Sequence, residues 1–261
     1  MIRGFYSGAS GLISQQQKLN VIANNFANVS TVGFKSQDQQ FSTLVYRNVN
    51  GALPPISTGH GVRPVDIATD FTSGQFARTN LDTDFAIIGD AFFAVEKDET
   101  GEIFYTRNGN FQFQVSDEEE GKFLITAEGY YVLDSEGERI NVTEREEEAK
   151  DQGEIFSLKG QLGLYTFTNN YGLEHAGDNL FRATEVSGEA EAFIAEEVEY
   201  DPEEGGVAPE VPTIIEGYLE NSNVDVAQEM VKMIEASKAF QFNSRVVSVT
   251  DELAQTMNQM R

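Results

Sequence analysis

Steps of four and three residues from Phe5 give Phe5, Ala9, Leu12, Gln16, Leu19, Ala23 and Phe26, all apolar except Gln16. That spacing is the heptad seam of a helix packing along one stripe. Ser14, Gln15, Gln17, Lys18, Asn20 and Asn24 fill the intervening positions with a polar, scarcely charged surface. The pattern stops between Asn28 and Gly33, where turn formers and a glycine end a helix. Such a segment spans roughly 36 to 40 Å at 1.5 Å per residue. A second helix is predicted to open at Asn221-Ser-Asn-Val-Asp225, a cluster of good N-cap residues, and to run without Pro or Gly to Arg261. Met230, Met233, Ile234 and Phe240 form its first stripe, continued by Phe242, Val246, Val249, Leu253, Met257 and Met260 on a drifting face. At roughly 55 Å it exceeds the usual globular helix several-fold.

Between the helices the character of the chain changes completely. Short β-branched and aromatic runs recur at Phe85 to Ile88, Phe92 to Glu96, Ile103 to Arg107, Phe111 to Val115, Phe123 to Thr126, Tyr130 to Leu133 and Leu162 to Thr168. Gly89-Asp90, Asn108-Gly109, Glu128-Gly129, Glu136-Gly137 and Asn169 to Gly172 separate them, as tight turns between antiparallel strands require. The expected fold class is α+β: long N- and C-terminal helices pairing in a coiled-coil-like domain, with a central, mostly antiparallel β domain. The boundaries are 1–35 for the first helix, 36–75 for an extended arm containing Pro54, Pro55 and Pro64, 76–220 for the β domain and 221–261 for the second helix.

Charge sharpens this division. The chain carries −25 overall, yet residues 1–35 hold Arg3, Lys18 and Lys35 with no acid, and residues 221–261 hold five acids against four bases. The ends are therefore nearly neutral and the middle holds about −27. Acidic stretches at Asp117 to Glu120, Glu144 to Glu148 and Glu196 to Glu204 read as loops or strand edges. A region so acidic repels phosphate backbones and anionic lipid headgroups, so nucleic acid is not an expected partner. No apolar run reaches the roughly 18 residues of a membrane-spanning helix, and the start lacks a cleavable-signal pattern, so no membrane insertion is expected.

Catalytic chemistry finds little support. The chain has no cysteine, and its two histidines, His60 and His175, have no second candidate ligand at metal-binding spacing. No nucleophile elbow or phosphate-cradling glycine loop is present. Asp82 and Asp84 are candidate weak calcium ligands without a loop to supply further oxygens. Abundant carboxylates make a glycosidase pair impossible to single out. No catalytic residue, metal or cofactor is expected, and the chain reads as a non-enzyme.

Two long amphipathic helices leave much apolar surface uncovered when they pair only with each other. Further copies of the same chain are the economical cover. A closed dimer carrying an acidic binding domain is the alternative.

Several segments, in order, carry a resemblance. Ser10-Gly-Leu12 with Ala23 to Lys35, Ala86-Ile-Ile-Gly89 with Phe92-Phe93, Tyr105 to Phe111, Gly177 to Phe181, and Glu220 to Val226 with Met230 to Ile234 resemble the signatures of the bacterial flagellar rod and hook proteins. The resemblance spans nearly the whole chain. Length and Gly59 to Val65 are most similar to the distal rod branch, with the proximal branch a close relative. Ala91 and Phe26 depart from the usual pattern, which has Gly and Leu or Ile there. The resemblance implies a basal-body subunit exported by the flagellar type III apparatus and polymerised with itself, and with neighbouring rod and hook proteins, into a torque-transmitting axial tube. It implies an assembly interface at Phe5, Ala9, Leu12, Leu19, Ala23, Asn24, Asn25, Phe26 and Asn28 of the first helix. On the second it implies Met230, Met233, Ile234, Phe240, Val246, Val249, Leu253 and Met257. Two roles fit the three asparagines: hydrogen bonds between subunits, or termination of the helix.

Overall fold

A computed structural model of the chain describes residues 2–44, 47–49, 56–98, 100–116, 121–143, 158–193 and 211–260. The acidic stretches at 117–120, 144–148 and 196–204 lie outside the described residues. The chain divides into two units. One comprises Met1–Val29, Ser36–Asp70 and Val224–Arg261, and the other Ser30–Lys35 with Phe71–Asn223.

The first unit holds both helices, α1 (Ile2–Ala27) and α2 (Val226–Gln259). Asn28 closes α1, its side-chain Nδ2 donating to the Asn24 carbonyl at 2.9 Å. Asp225 caps α2 by accepting from the amides of Ala227 (2.8 Å) and Gln228 (3.3 Å), which satisfies two of the free donors at the helix start. The helices run antiparallel: Gly4 faces Thr250, Gly8 faces Val247, Gly11 faces Asn243, and Asn25 reaches Glu229. Between them lies a stripe of mostly small and polar groups, with Val21 and Ile22 as its larger apolar members. Gly8, Gly11, Ser14, Val21, Ile22 and Asn25 are the buried or enclosed positions of α1, and Glu229 and Ala236 those of α2. Gly8 and Gly11 matter here because a Cβ would lie 2.9 Å from Val247 and 2.7 Å from Asn243, so their absence of side chain lets the backbones approach.

Within the stretch 36–75 the described residues form paired strands that turn back on one another. β1 (Gln37–Thr43) pairs antiparallel with β4 (Val62–Thr69), with a bulge between Gln40 and Phe41, and β2 (Arg47–Val49) pairs with β3 (Ile56–Thr58). Its strands satisfy their backbone groups by pairing with one another, which a lone arm could do only with water.

The second unit is antiparallel throughout its described strands. These are β5 (Phe76–Arg78), β6 (Phe85–Ile88), β7 (Phe92–Glu96), β8 (Ile103–Thr106), β9 (Phe111–Ser116), β10 (Gly121–Thr126) and β11 (Tyr131–Val132). They continue as β12 (Leu164–Thr166), β13 (Glu174–Gly177), β14 (Leu180–Arg182), β15 (Glu191–Phe193), β16 (Thr213–Glu216) and β17 (Tyr218–Glu220). The main sheet runs β13-β14-β8-β7-β11-β10-β9, with β12 also on β7 and β15 on β12. β16 pairs with β6 and β17 with β5. Strand β7 explains the core: Phe93 and Val95 point into one apolar cluster with Phe85, Phe111 and Leu164, while Phe92 and Ala94 point into another with Phe71, Tyr105 and Phe181. Both faces are covered, so the strand reads as a continuous apolar run rather than an alternating one.

The turns at Glu128-Gly129 and Glu136-Gly137 do reverse the chain between antiparallel partners, with Gly129 and Gly137 at positive φ. Those at Gly89-Asp90 and Asn108-Gly109 do not. β6 and β7 are not partners, nor are β8 and β9. Gly109 instead lies against the Phe85 backbone, accepting from its amide at 3.0 Å where any Cβ would collide with the Phe85 carbonyl.

Candidate assembly surface

The side chains proposed from sequence for assembly fall mainly beside the α1–α2 seam. On α1, Phe5, Ala23 and Asn24 are exposed, and Ala9, Leu12, Leu19, Phe26 and Asn28 are half-buried. Asn25 alone of this set is fully buried. The stripe at Phe5, Leu12, Leu19 and Phe26 is displaced by about 100° around the helix, one residue step, from the stripe that meets α2. On α2, Met230, Ile234, Val246, Val249, Leu253 and Met257 are exposed, and Met233 and Phe240 half-buried. Phe242 and Met260 are 64% and 76% exposed. From Phe242 to Met260 these residues recur at three- and four-residue steps, a stripe flanking the one that faces α1.

Tyr6, Ile13 and Val231 belong to the same outward surface, with Ile13 58% exposed, and the heptad template passed them over. Their signal was an apolar residue one step off the assumed seam. Apart from Val21, Ile22 and Ala236, this pair of helices thus encloses glycine, serine, asparagine and glutamate, while most of its large apolar side chains face outward. Burial energy scales with apolar area removed from water, so the exposed side chains of α1 and α2 contribute little to the α1–α2 contact.

Polar groups fix the seam at its lower end. Glu229 is buried and accepts from Lys232 Nζ at 2.7 Å and from Asn25 Nδ2 at 3.4 Å. The hydrogen bond from Lys232 to Glu229, opposed by partial desolvation, raises the lysine pKa above its ordinary value. A groove of about 460 Å³ runs between α1 and the β1–β4 pair, lined by Gln17, Val21, Gln39, Val65 and Ile67 among others.

Elsewhere, candidate chemistry is sparse. Asp84 is buried and accepts from Asn110 Nδ2 at 3.1 Å, whereas Asp82 is exposed. Among the described residues no three His, Asp or Glu side chains gather as a metal site would need. His60 is exposed, and His175 lies edge-on to Phe181 with its Nδ1 accepting from the Gly177 amide at 3.1 Å. Among the described residues no helix is long and apolar enough to cross a membrane.

Three family descriptions match in chain order: "Flagella basal body rod protein" over residues 5–35, "Flagellar hook protein FlgE/F/G D1 domain" over 86–157, and "Flagellar basal body rod FlgEFG protein C-terminal" over 215–260. The outward helical stripes lie within the first and last of these segments. The chain is 35% identical to the flagellar basal-body rod protein FlgG of Buchnera aphidicola subsp. Acyrthosiphon pisum, with all of both chains covered. It belongs to the flagellar basal-body rod proteins and is most like FlgG. The FlgG of Bacillus subtilis is 33% identical over 98% of each chain. The FlgF of Caulobacter vibrioides is 30% identical over 98% of this chain and 96% of its own. This FlgG-like chain is a structural subunit of the flagellar basal body.

Proposed function

We propose that the subunit polymerises through α1 and α2 into the torque-transmitting axial tube of the rod. It packs the outward apolar stripes of one copy against those of its neighbours and meets adjoining rod and hook proteins through the same helices. The observation that carries this is the exposure of Ile234, Phe242, Val246, Val249, Leu253 and Met257 along one long helix whose own partner buries mostly small and polar groups. Near-neutral charge at both chain ends supports it, because dense packing of many copies is opposed by like charge. Delivery by the flagellar type III apparatus fits a chain with no cysteine, since no disulfide can obstruct threading. In this reading Asn25 and Asn28 stabilise the subunit itself, leaving Asn24 exposed to neighbours.

The test is Ile234→Ser with Phe242→Ser and Leu253→Ser in one chain. These side chains are exposed, so helix content by circular dichroism should hold while growth of open polymers, followed by light scattering and electron microscopy, is lost. A triple variant that still forms tubes overturns the reading. Growth that stops at a dimer in the unsubstituted protein overturns it equally.

A further inference from the structure

Residues 30–35 and β17 lie 185 positions apart in sequence at their linking pair, Lys35 and Glu220, yet they are tied side by side inside the second unit. The Gly33 amide donates to the Glu220 carbonyl at 2.7 Å, and Asn179 Nδ2 holds the Val32 carbonyl at 2.9 Å. Lys35 Nζ, 1% exposed, donates to Glu220 Oε1 at 2.7 Å and to the Thr72 carbonyl at 2.9 Å. The same carboxylate oxygen accepts from the Gly74 amide at 2.9 Å. Its other oxygen lies 3.6 Å from Arg107 Nη1, and both of those side chains are completely buried. Arg107 is further held by donating to the Gly89 carbonyl at 2.7 Å and by lying 5.0 Å over the Phe92 ring. Burial pulls the arginine pKa down, opposed by the attraction of Glu220 and, more weakly, of exposed Asp90.

Two cations and one carboxylate are therefore enclosed together, drawn from three distant parts of the chain. A buried charge is tolerable only when its counter-charge arrives with it. We infer that Glu220 is a closure latch: the β unit completes its fold only when residues 30–35 and β17 dock together, so that Lys35 and Arg107 become buried against the same carboxylate. Glu220 stands on β17, which follows every other described strand of the β unit in sequence. The unit consequently stays open until its last strand is available, whatever route delivers it. This inference is independent of how the helices assemble.

The full-length protein tests it through hydrogen exchange and thermal melting. In Glu220→Leu, the amides of residues 30–35, β17 and β8 should lose protection together, with a fall of about 10 °C in the melting temperature of the β unit. The triple variant Lys35→Met, Arg107→Met, Glu220→Leu removes every charge at the site with similar bulk, and should recover most of that fall. Normal protection in Glu220→Leu overturns the latch. A triple variant no more stable than Glu220→Leu also overturns it, since the loss would then come from packing rather than uncompensated charge.

Discussion

Asn25 and Gln37 exchange a reciprocal pair of hydrogen bonds, Asn25 Nδ2 donating to the Gln37 carbonyl at 2.8 Å and Asn25 Oδ1 accepting from the Gln37 amide at 2.9 Å. The side-chain amide thereby imitates a neighbouring strand and seats the start of β1 on α1. Because it also touches Glu229, one buried residue ties together three elements of the first unit. Asn25→Ala should cost about 2 kcal/mol in denaturant unfolding, with both Gln37 backbone groups losing their partner. Asn25→Asp should cost more, since it sets a second carboxylate beside Glu229. Equal stability of the two variants would show the contact with Glu229 to be without consequence.

The glycines of α1 should separate cleanly by position. At Gly4 a Cβ would meet only Thr250 at 3.8 Å, so Gly4→Ala should stabilise the helix by about 1 kcal/mol through backbone entropy alone. Gly8→Leu must push Val247 and the Asn243 backbone away, and should lower the melting temperature of the helical unit. Circular dichroism at the helical band reads both outcomes.

Gly33 offers a similar contrast in the second unit. It sits at φ +68°, and an added Cβ would lie 2.7 Å from backbone atoms of Arg107 and Asn108. Gly33→Ala should cost about 2 to 4 kcal/mol, combining left-handed strain with overpacking. Gly129→Ala and Gly137→Ala have positive φ but open space, so each should lose only the conformational part, about 1 kcal/mol. Chemical denaturation of the three variants side by side distinguishes the two contributions.

His175 should make stability fall in mild acid. Desolvation against its surroundings lowers its pKa below the ordinary 6.5, partly offset by Asp178, and its Nδ1 must stay unprotonated to accept from Gly177. The unfolded chain then binds this proton more readily than the folded one. The contribution is complete above about pH 6.5 and is lost as pH drops through the lower folded value. His175→Phe should flatten the melting temperature across that window, where the unsubstituted protein declines.

The legible parts of the fold were those whose signal is local. The strands β6 to β10 and β12 announce themselves as apolar runs, and Asp225 marks the start of α2 by its capping side chain. β16 and β17 were missed because their partners, β6 and β5, lie more than a hundred residues earlier, and Thr213 to Glu220 is too short to show a period. The intramolecular helix seam was illegible for a different reason. Gly8 and Gly11 count against a helix by propensity, and their value appears only when a second backbone comes close. Large apolar residues at Phe5, Leu12 and Leu19 instead traced the neighbouring stripe. Lys35, Arg107 and Glu220 looked like ordinary solvated charges, since nothing in a sequence states that two cations and an acid so far apart will be enclosed together.

The joined neck of the β unit bears on mechanics. The chain first enters that unit at Ser30, passes out after Lys35, returns at Phe71 and leaves for the last time at Asn223, and its first and last segments are bridged by the Gly33 amide on the Glu220 carbonyl and by the Asn223 amide on the Phe34 carbonyl. Tension applied between Ser30 and Asn223 is borne by this short bridge and the Lys35–Glu220 ion pair, and the nine-stranded sheet beyond lies outside the load path.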